Sequence, residues 1–589
     1  MNRVIISIIF LSIVLLIMPA AAFSLSLPQG TILAAAASAD ITPKVAKFED
    51  RNGNGRFDLG DANQAYGFGD RVIAFEEGEI RIGNGRGAAK FIYEPIYARV
   101  LVVEDPSTGF RLALVSLDIY MILRQDVQAI RNMLDPDWHI GSLIVAATHS
   151  HMAPDTLGLT GVQGLSVSQI LKILMKTGKA PSGINPIWFE RMQVTVKELI
   201  GQCVANLQPA TIRLAQTRFN FGIHDTREPL IIDDQVSALA LDTPDGRPIA
   251  TLVQWACHPE APLIYGSSEN QFRKPSDFSE KELEGWGMTI SPGFPGYMCK
   301  ELEAKRGGVS IYFNGPLGGL LCNLNVPVWD TSAHPEYPAS LPYDQVPQRF
   351  RIANDFRVEP IQGKELANEV LKALSQSSET SLSSTVTGKS NEFLIPLNNP
   401  TFRLAAAVGL LGHGKRDFFG SNGKIDRHTD SWLSGVFLPG VKVPTGEYLK
   451  SEVNIAQIGD AFFVIIPGEA LSEEIIGFPP DFNTAVSKYF PHEAQNHPTG
   501  KYYKLAFDPI QKTAKSKYLF VLCLANDELG YIIPASDFRP PHDLPIPPLL
   551  TWWISLNAAN DAHYEESMAA SRKNEPAIMK ALTELLKNK

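Results

Sequence analysis

Ser142-Leu143-Ile144-Val145-Ala146-Ala147-Thr148-His149-Ser150-His151 is a short apolar run that ends abruptly in two imidazoles. Three further segments repeat the pattern. Ile249 to Ala256 leads into Cys257-His258-Pro259-Glu260, Ala461 to Ile466 into Pro467-Gly468-Glu469, and Tyr518 to Leu524 into the segment from Asn526 to Tyr531. Brief β-branched runs bounded by Pro, Gly and Asn predict buried strands. Their polar ends are then expected at one edge of a sheet, where α/β enzymes place their sites.

Around these four strands the patterns alternate. Ile32 to Ala39, Ala98 to Val103 and Arg111 to Leu117 predict further strands. Arg124 to Leu134, Ile187 to Leu207 and Gly363 to Leu374 have helical spacing. The fold class expected is mixed α/β, one large catalytic domain, since no long charged or low-complexity linker divides the 589 residues. Ser375 to Ser390, rich in Ser and Thr, predicts an exposed connection or a sheet edge, and the Gly-rich stretch 399–448 an insertion. Residues 541–589 read as a Pro-rich loop and a polar helical tail from Glu575 to Lys587.

The chain carries 63 acidic against 53 basic side chains, and that net negative charge excludes a nucleic-acid binder. Arg3, the apolar run Val4 to Met18 and the small residues after Pro19 predict an export signal over residues 1–22, with an uncleaved anchor as the alternative. Five cysteines, at 203, 257, 299, 322 and 523, are too few for a disulfide framework, and the odd count leaves at least one thiol unpaired. Leu549-Leu550-Thr551-Trp552-Trp553-Ile554 either packs on the body or forms a lipid-facing lip, because Trp favours membrane interfaces.

His149 and His151 stand two apart, which puts both rings on one face if the backbone stays extended. Imidazoles with a carboxylate suit zinc, which keeps a position open for water. Taken singly, His258 reads as a core histidine, Glu469 as a helix cap and Tyr531 as core. Their shared position at strand ends turns all three toward a metal site.

Ala39-Asp40-Ile41-Thr42-Pro43, the Ala146 to Pro154 block with Thr148-His149-Ser150-His151, Trp255-Ala256-Cys257-His258-Pro259, Pro467-Gly468-Glu469 and the Tyr531 segment occur in the order found in neutral/alkaline non-lysosomal ceramidases. From about residue 35 to about residue 540 the chain resembles their N-terminal catalytic domain. The resemblance implies zinc on His149, His258, Glu469 and Tyr531, with His151 beside the metal contacting substrate and Arg227 as the active-site arginine. It implies hydrolysis of an N-acyl amide of ceramide-like lipids. One departure stands out: the family's serine after an Asn-x-Gly turn corresponds to Gly319 in Asn314-Gly315-Pro316-Leu317-Gly318-Gly319, and glycine brings no nucleophile. Activated water then becomes the attacking group. Alternatives are a zinc esterase or amidase for a smaller substrate and a non-catalytic binding protein. The strand count of the family's C-terminal sandwich domain is not met after the Pro-rich loop.

A second metal signal is independent of the family. In Asp50 to Asp61, Asp50, Asn52, Asn54, Asp58 and Asp61 occupy positions 1, 3, 5, 9 and 12 of an EF-hand-type calcium loop, with Gly55 at 6. Asp61 replaces the usual Glu, which predicts modest calcium affinity.

Overall fold

The two halves of one large sheet and a second, smaller sheet turn inward on one apolar core, and helices cover their outer faces. The computed structural model describes residues 29–61, 67–83, 87–162, 165–177, 179–260, 285, 287–322, 326–353, 355–399, 402, 417–426, 428, 446–491, 503–538 and 565–587. The export signal, most of the 399–448 insertion and the Trp552-Trp553 cluster lie outside them.

The largest sheet has eight strands, in the order Val309–Asn314, Pro248–Trp255, Gln235–Asp242, Gln208–Arg218, Ile32–Asp40, Tyr97–Glu104, Arg111–Leu117 and Ile140–Ala147. The two outermost pairs are parallel and the middle is antiparallel. The two halves are joined only where Ile32–Ala34 pairs with Gln208–Ala210. Across that narrow seam the outer strands close on each other: Ser116 Oγ donates to Tyr312 O at 2.6 Å and Asn314 Nδ2 to Thr148 O at 2.6 Å. A four-stranded sheet, Val386–Pro396, Tyr448–Ile458, Ala461–Ile465 and Tyr518–Leu522, packs against both halves. Nearly every side chain of the inner strands is buried, which explains their continuous apolar runs.

Both halves of the large sheet and the four-stranded sheet hide their outer faces under helices. Pro186–Ala205 covers the first half with Trp188, Met192, Val196 and Ile200. Its start is fixed by Pro186 in the first turn and by Asn185, whose side chain accepts from Ile187 N and Trp188 N. Gly293–Arg306 and Val358–Gln376 cover the second half. Asn574–Lys587 covers the four-stranded sheet, burying Ile578, Met579, Leu582 and Leu585. The tail is therefore amphipathic, not polar: its apolar positions recur at helical spacing, hidden in a composition rich in Lys and Glu.

The strands and helices expected from the sequence are found with bounds shifted by a few residues, and the serine-rich stretch resolves into a connection followed by the edge strand Val386–Pro396. One expectation is corrected. The polar strand ends do not line one sheet edge; they meet where ends from both halves of the large sheet face the four-stranded sheet, because the large sheet folds back on itself.

The docking of the tail against the Tyr531 turn leaves room only for glycine. Gly530 has φ 74°, and a Cβ there would lie 1.7 Å from Met568 O. Gly109 has a similar φ of 71° with open space around it. Gly530→Ala is expected to lose about 2 kcal/mol or more beyond Gly109→Ala in denaturant unfolding; equal losses would show that the tail does not press on this turn.

Candidate metal centre

His149 follows its strand through a turn rather than an extension. Thr148 N donates to Leu117 O at 2.8 Å, and His149 then takes φ 65°. The extended backbone expected for His149 and His151 is thus corrected, and their rings meet edge to face, centroids 4.6 Å apart at 88°. Left-handed backbone costs a non-glycine residue about 1–3 kcal/mol and is kept where the surroundings over-determine it. Here the ring does so: His149 Nδ1 lies 2.9 Å from Tyr120 O, and the Tyr120 ring stacks on it at 5.0 Å.

His258 arrives from the other half of the sheet. Its N–H donates to Leu320 O at 2.9 Å, and its Nδ1 lies 3.0 Å from the same carbonyl. The neighbouring Cys257 is bonded to Cys322, which pins this turn to the strand Leu320–Cys322. Cys203, Cys299 and Cys523 are free and buried. In both histidines Nδ1 faces a backbone carbonyl, which turns Nε2 inward, the arrangement that orients metal-binding imidazoles.

Glu469 and Tyr531 stand in a small two-stranded sheet just beyond the ends of the strands Ala461–Ile465 and Tyr518–Leu522. Glu469–Ala470 pairs in parallel with Tyr531–Ile532, so the two side chains sit side by side and the Tyr531 hydroxyl hydrogen-bonds the carboxylate. Glu469 Oε2 lies 3.0 Å from His258 Nε2 and Oε1 3.9 Å from His149 Nε2. His149, His151 and His258 each present a ligand nitrogen within 4.8 Å of the other two, and all are buried.

The electrostatics divide the group. Burial pushes His149 down to about 4 and His151 well below its ordinary value, so both imidazoles are neutral. For His258 burial works downward, but the hydrogen bond and charge of Glu469 outweigh it and raise it to about 9. Burial would raise Glu469, yet the neighbouring His149 and His258 hold it below the usual carboxylate range. Two neutral imidazoles, a third paired with an ionised carboxylate, and a phenol form a donor set that fits a divalent cation of the zinc type.

Two neighbours were missed in the sequence reading. Glu260, two residues past His258, lies 3.4 Å from His151 Nε2, and burial raises its carboxyl to about 7. Tyr120 stacks on His149 and meets His151 edge-on at 4.7 Å. Glu260 carried a signal in its place beside His258; Tyr120 carried none.

Arg227 does not join the cluster. Its guanidinium is taken up by Asp537 at 2.6 Å, Glu565 at 2.9 Å and Glu566 at 3.0 Å. Three buried carboxylates thus surround its charge. In the loop Asp50 to Asp61, Asp50 accepts from the amides of Gly53, Asn54 and Gly55, while Asn52 Nδ2 and Asn54 Nδ2 both donate to Asp58 Oδ2 at 2.6 Å. Positions 1, 3, 5 and 9 thus draw together, and Asp61 pairs through its backbone with Gly67.

Gly319 stands in the turn that holds His258. A Cβ there would lie 2.4 Å from Asp225 Oδ1. Asp225 cannot swing away, because its oxygens accept from Arg227 N at 3.0 Å and Ile231 N at 2.7 Å.

Fold and site together define a mixed α/β protein with a buried, histidine-rich centre able to hold a metal ion. Among solved structures the fold is similar to the neutral ceramidase from Pseudomonas aeruginosa, with TM-score 0.52 and 14% identity over 96% of this chain and 75% of that one. It is similar also to a structure described as ceramidase complexed with C2, with TM-score 0.51 and 14% identity over 96% and 76%. No family model matches the chain, and no curated protein matches it.

Two outcomes follow from this geometry. A metal must displace the proton from His258, so affinity should rise about tenfold per pH unit up to about 9 and then level off. Competition titration against a chelating indicator checks this, and Glu469→Gln should weaken binding and flatten the slope; a pH-independent affinity would refute the arrangement. Gly319→Ser should cost about 1–3 kcal/mol in unfolding experiments through the clash with Asp225; a stable variant would show that this turn has room for a side chain.

Proposed function

We propose that this protein is an exported zinc-dependent hydrolase that cleaves an N-acyl amide, with ceramide-like lipids as its substrate class. The observation that carries the reading is the convergence of His149, His258 and Glu469 from three separate strand ends on a ceramidase-like fold. His149, His258, Glu469 and Tyr531 would hold the ion. When bound, zinc supplies Lewis acidity, polarising a carbonyl and making water acidic enough to attack near neutral pH.

The chain's own groups supply the rest. His151, neutral and edge-on to His149, is placed to donate to the carbonyl oxygen as it gains charge. Amide cleavage must also deliver a proton to the leaving nitrogen. Glu260, 3.4 Å from His151 Nε2 and with its carboxyl near 7, is suited to hold that proton. Tyr120 packs against both rings and excludes water from their outer faces. Arg227 bridges Asp537, Glu565 and Glu566, which ties the tail to the Tyr531 side of the site.

Gly319 favours a second reading within the same chemistry, an amide or ester smaller than ceramide, because the turn offers no hydroxyl to assist at a lipid amide. Export is supported by the Cys257–Cys322 bond, which belongs to an oxidising compartment. The Asp50 to Asp61 loop is proposed to take calcium with modest affinity. Among the described residues no helix is long and apolar enough to cross a membrane.

Metal-replete protein should release fatty acid from a fluorescent ceramide, and His149→Ala should reduce turnover by about 10²-fold or more. Turnover on a short N-acyl amide with none on ceramide would select the second reading; inertness toward both, or an unaffected variant, would overturn the assignment.

A further inference from the structure

Four residues beyond His151 the chain makes an excursion that the catalytic reading leaves unused. Asp155 anchors its base: the carboxylate accepts from Leu157 N, Gly158 N, Thr160 N and Thr160 Oγ1. The chain returns to the same point, with Gly183 N donating to Gly158 O at 3.1 Å. A Cβ on Gly183 would lie 2.2 Å from Asp155 Oδ2, and one on Gly161 would lie 2.1 Å from Pro181 O. Both crossings admit only glycine, so the excursion leaves through a tight, fixed neck. Between its two sides lies the helix Val167–Thr177.

That helix is sided. Leu174 is buried and Ile170 half-buried, whereas Ser168, Lys172, Met175 and Lys176 are exposed. The spacing of three and four puts the exposed set on one face. Met175 is 58% exposed on the same face as the two lysines, and Lys179 lies just beyond the helix end. Residues 156–189 hold Lys172, Lys176 and Lys179 and no Asp or Glu, in a chain of net charge -10. A local cationic face with an exposed apolar side chain beside the lysines, on an acidic protein, complements a surface of opposite charge and apolar interior.

We propose that the helix Val167–Thr177 docks the protein onto an anionic lipid surface, with Lys172, Lys176 and Lys179 on the headgroups and Met175 entering between them. Long lysine side chains keep their ammonium groups at headgroup level while the stems lie along the apolar boundary. Because the neck begins at Asp155, four residues past His151, the docked helix would tether the candidate metal centre to the bilayer. The inference concerns binding and holds whether or not the amide reading does.

The test uses the full chain with Met175→Cys carrying an environment-sensitive fluorophore, since Cys203, Cys299 and Cys523 are buried and escape labelling. Vesicles of phosphatidylcholine alone are compared with vesicles that also contain phosphatidylglycerol. The expected result is a blue shift at position 175 with the anionic vesicles only, abolished by high salt. In flotation, Lys172→Glu/Lys176→Glu/Lys179→Glu should partition about a hundredfold less onto anionic vesicles with an unchanged melting temperature. An unshifted probe on protein that floats would place the contact elsewhere and overturn the proposal. So would a triple variant that floats like the parent, or a parent that does not bind anionic vesicles.

Discussion

Glu469 holds the site together. Its two oxygens reach imidazoles from opposite halves of a folded sheet, and its neighbour in a two-residue parallel pairing is Tyr531. A carboxylate and three imidazoles in a fully buried space are costly to desolvate, and they persist because each has a fixed partner. His149 leans on Tyr120 O, His258 on Leu320 O, and His151 faces Glu260. Remove the carboxylate and the third imidazole loses the charge that holds its proton, leaving buried nitrogens with no reason to converge.

The surrounding fold exists to make that meeting possible. The large sheet is nearly divided, joined at three residue pairs, so its outer parallel strands fold toward each other and bring Thr148 and Asn314 into contact. Cys257–Cys322 adds a covalent staple beside His258. On the far side the tail presses on Gly530, and Asn574 Nδ2 donates to Leu529 O and Tyr531 O, holding the turn that presents the phenol. Arg227 joins the same support by binding three carboxylates. Local strain at His149 is the cost of turning an imidazole back from a strand end.

Much of this was legible one element at a time. Inner strands such as Ile140–Ala147 are buried on both faces and read as unbroken apolar runs, so periodicity finds them. Helices such as Pro186–Ala205 announce themselves through Asn185 and Pro186. His149, His258, Glu469 and Tyr531 were marked by standing at strand ends. The tail was misread because its apolar positions are spread among charges, and Tyr120 was invisible because its role is a carbonyl and a ring face, which no spacing encodes.

The sequence by itself determined the strands, the helices and the polar residues that stand at the strand ends, since each depends on short-range pattern or on side-chain chemistry. Only the tertiary structure decided which ends meet, that Arg227 is consumed by an ion-pair cluster, that Gly319 has no room for a side chain and that Glu260 joins His151. Those outcomes depend on how a sheet folds across a narrow seam, a long-range packing event that no local window of residues specifies.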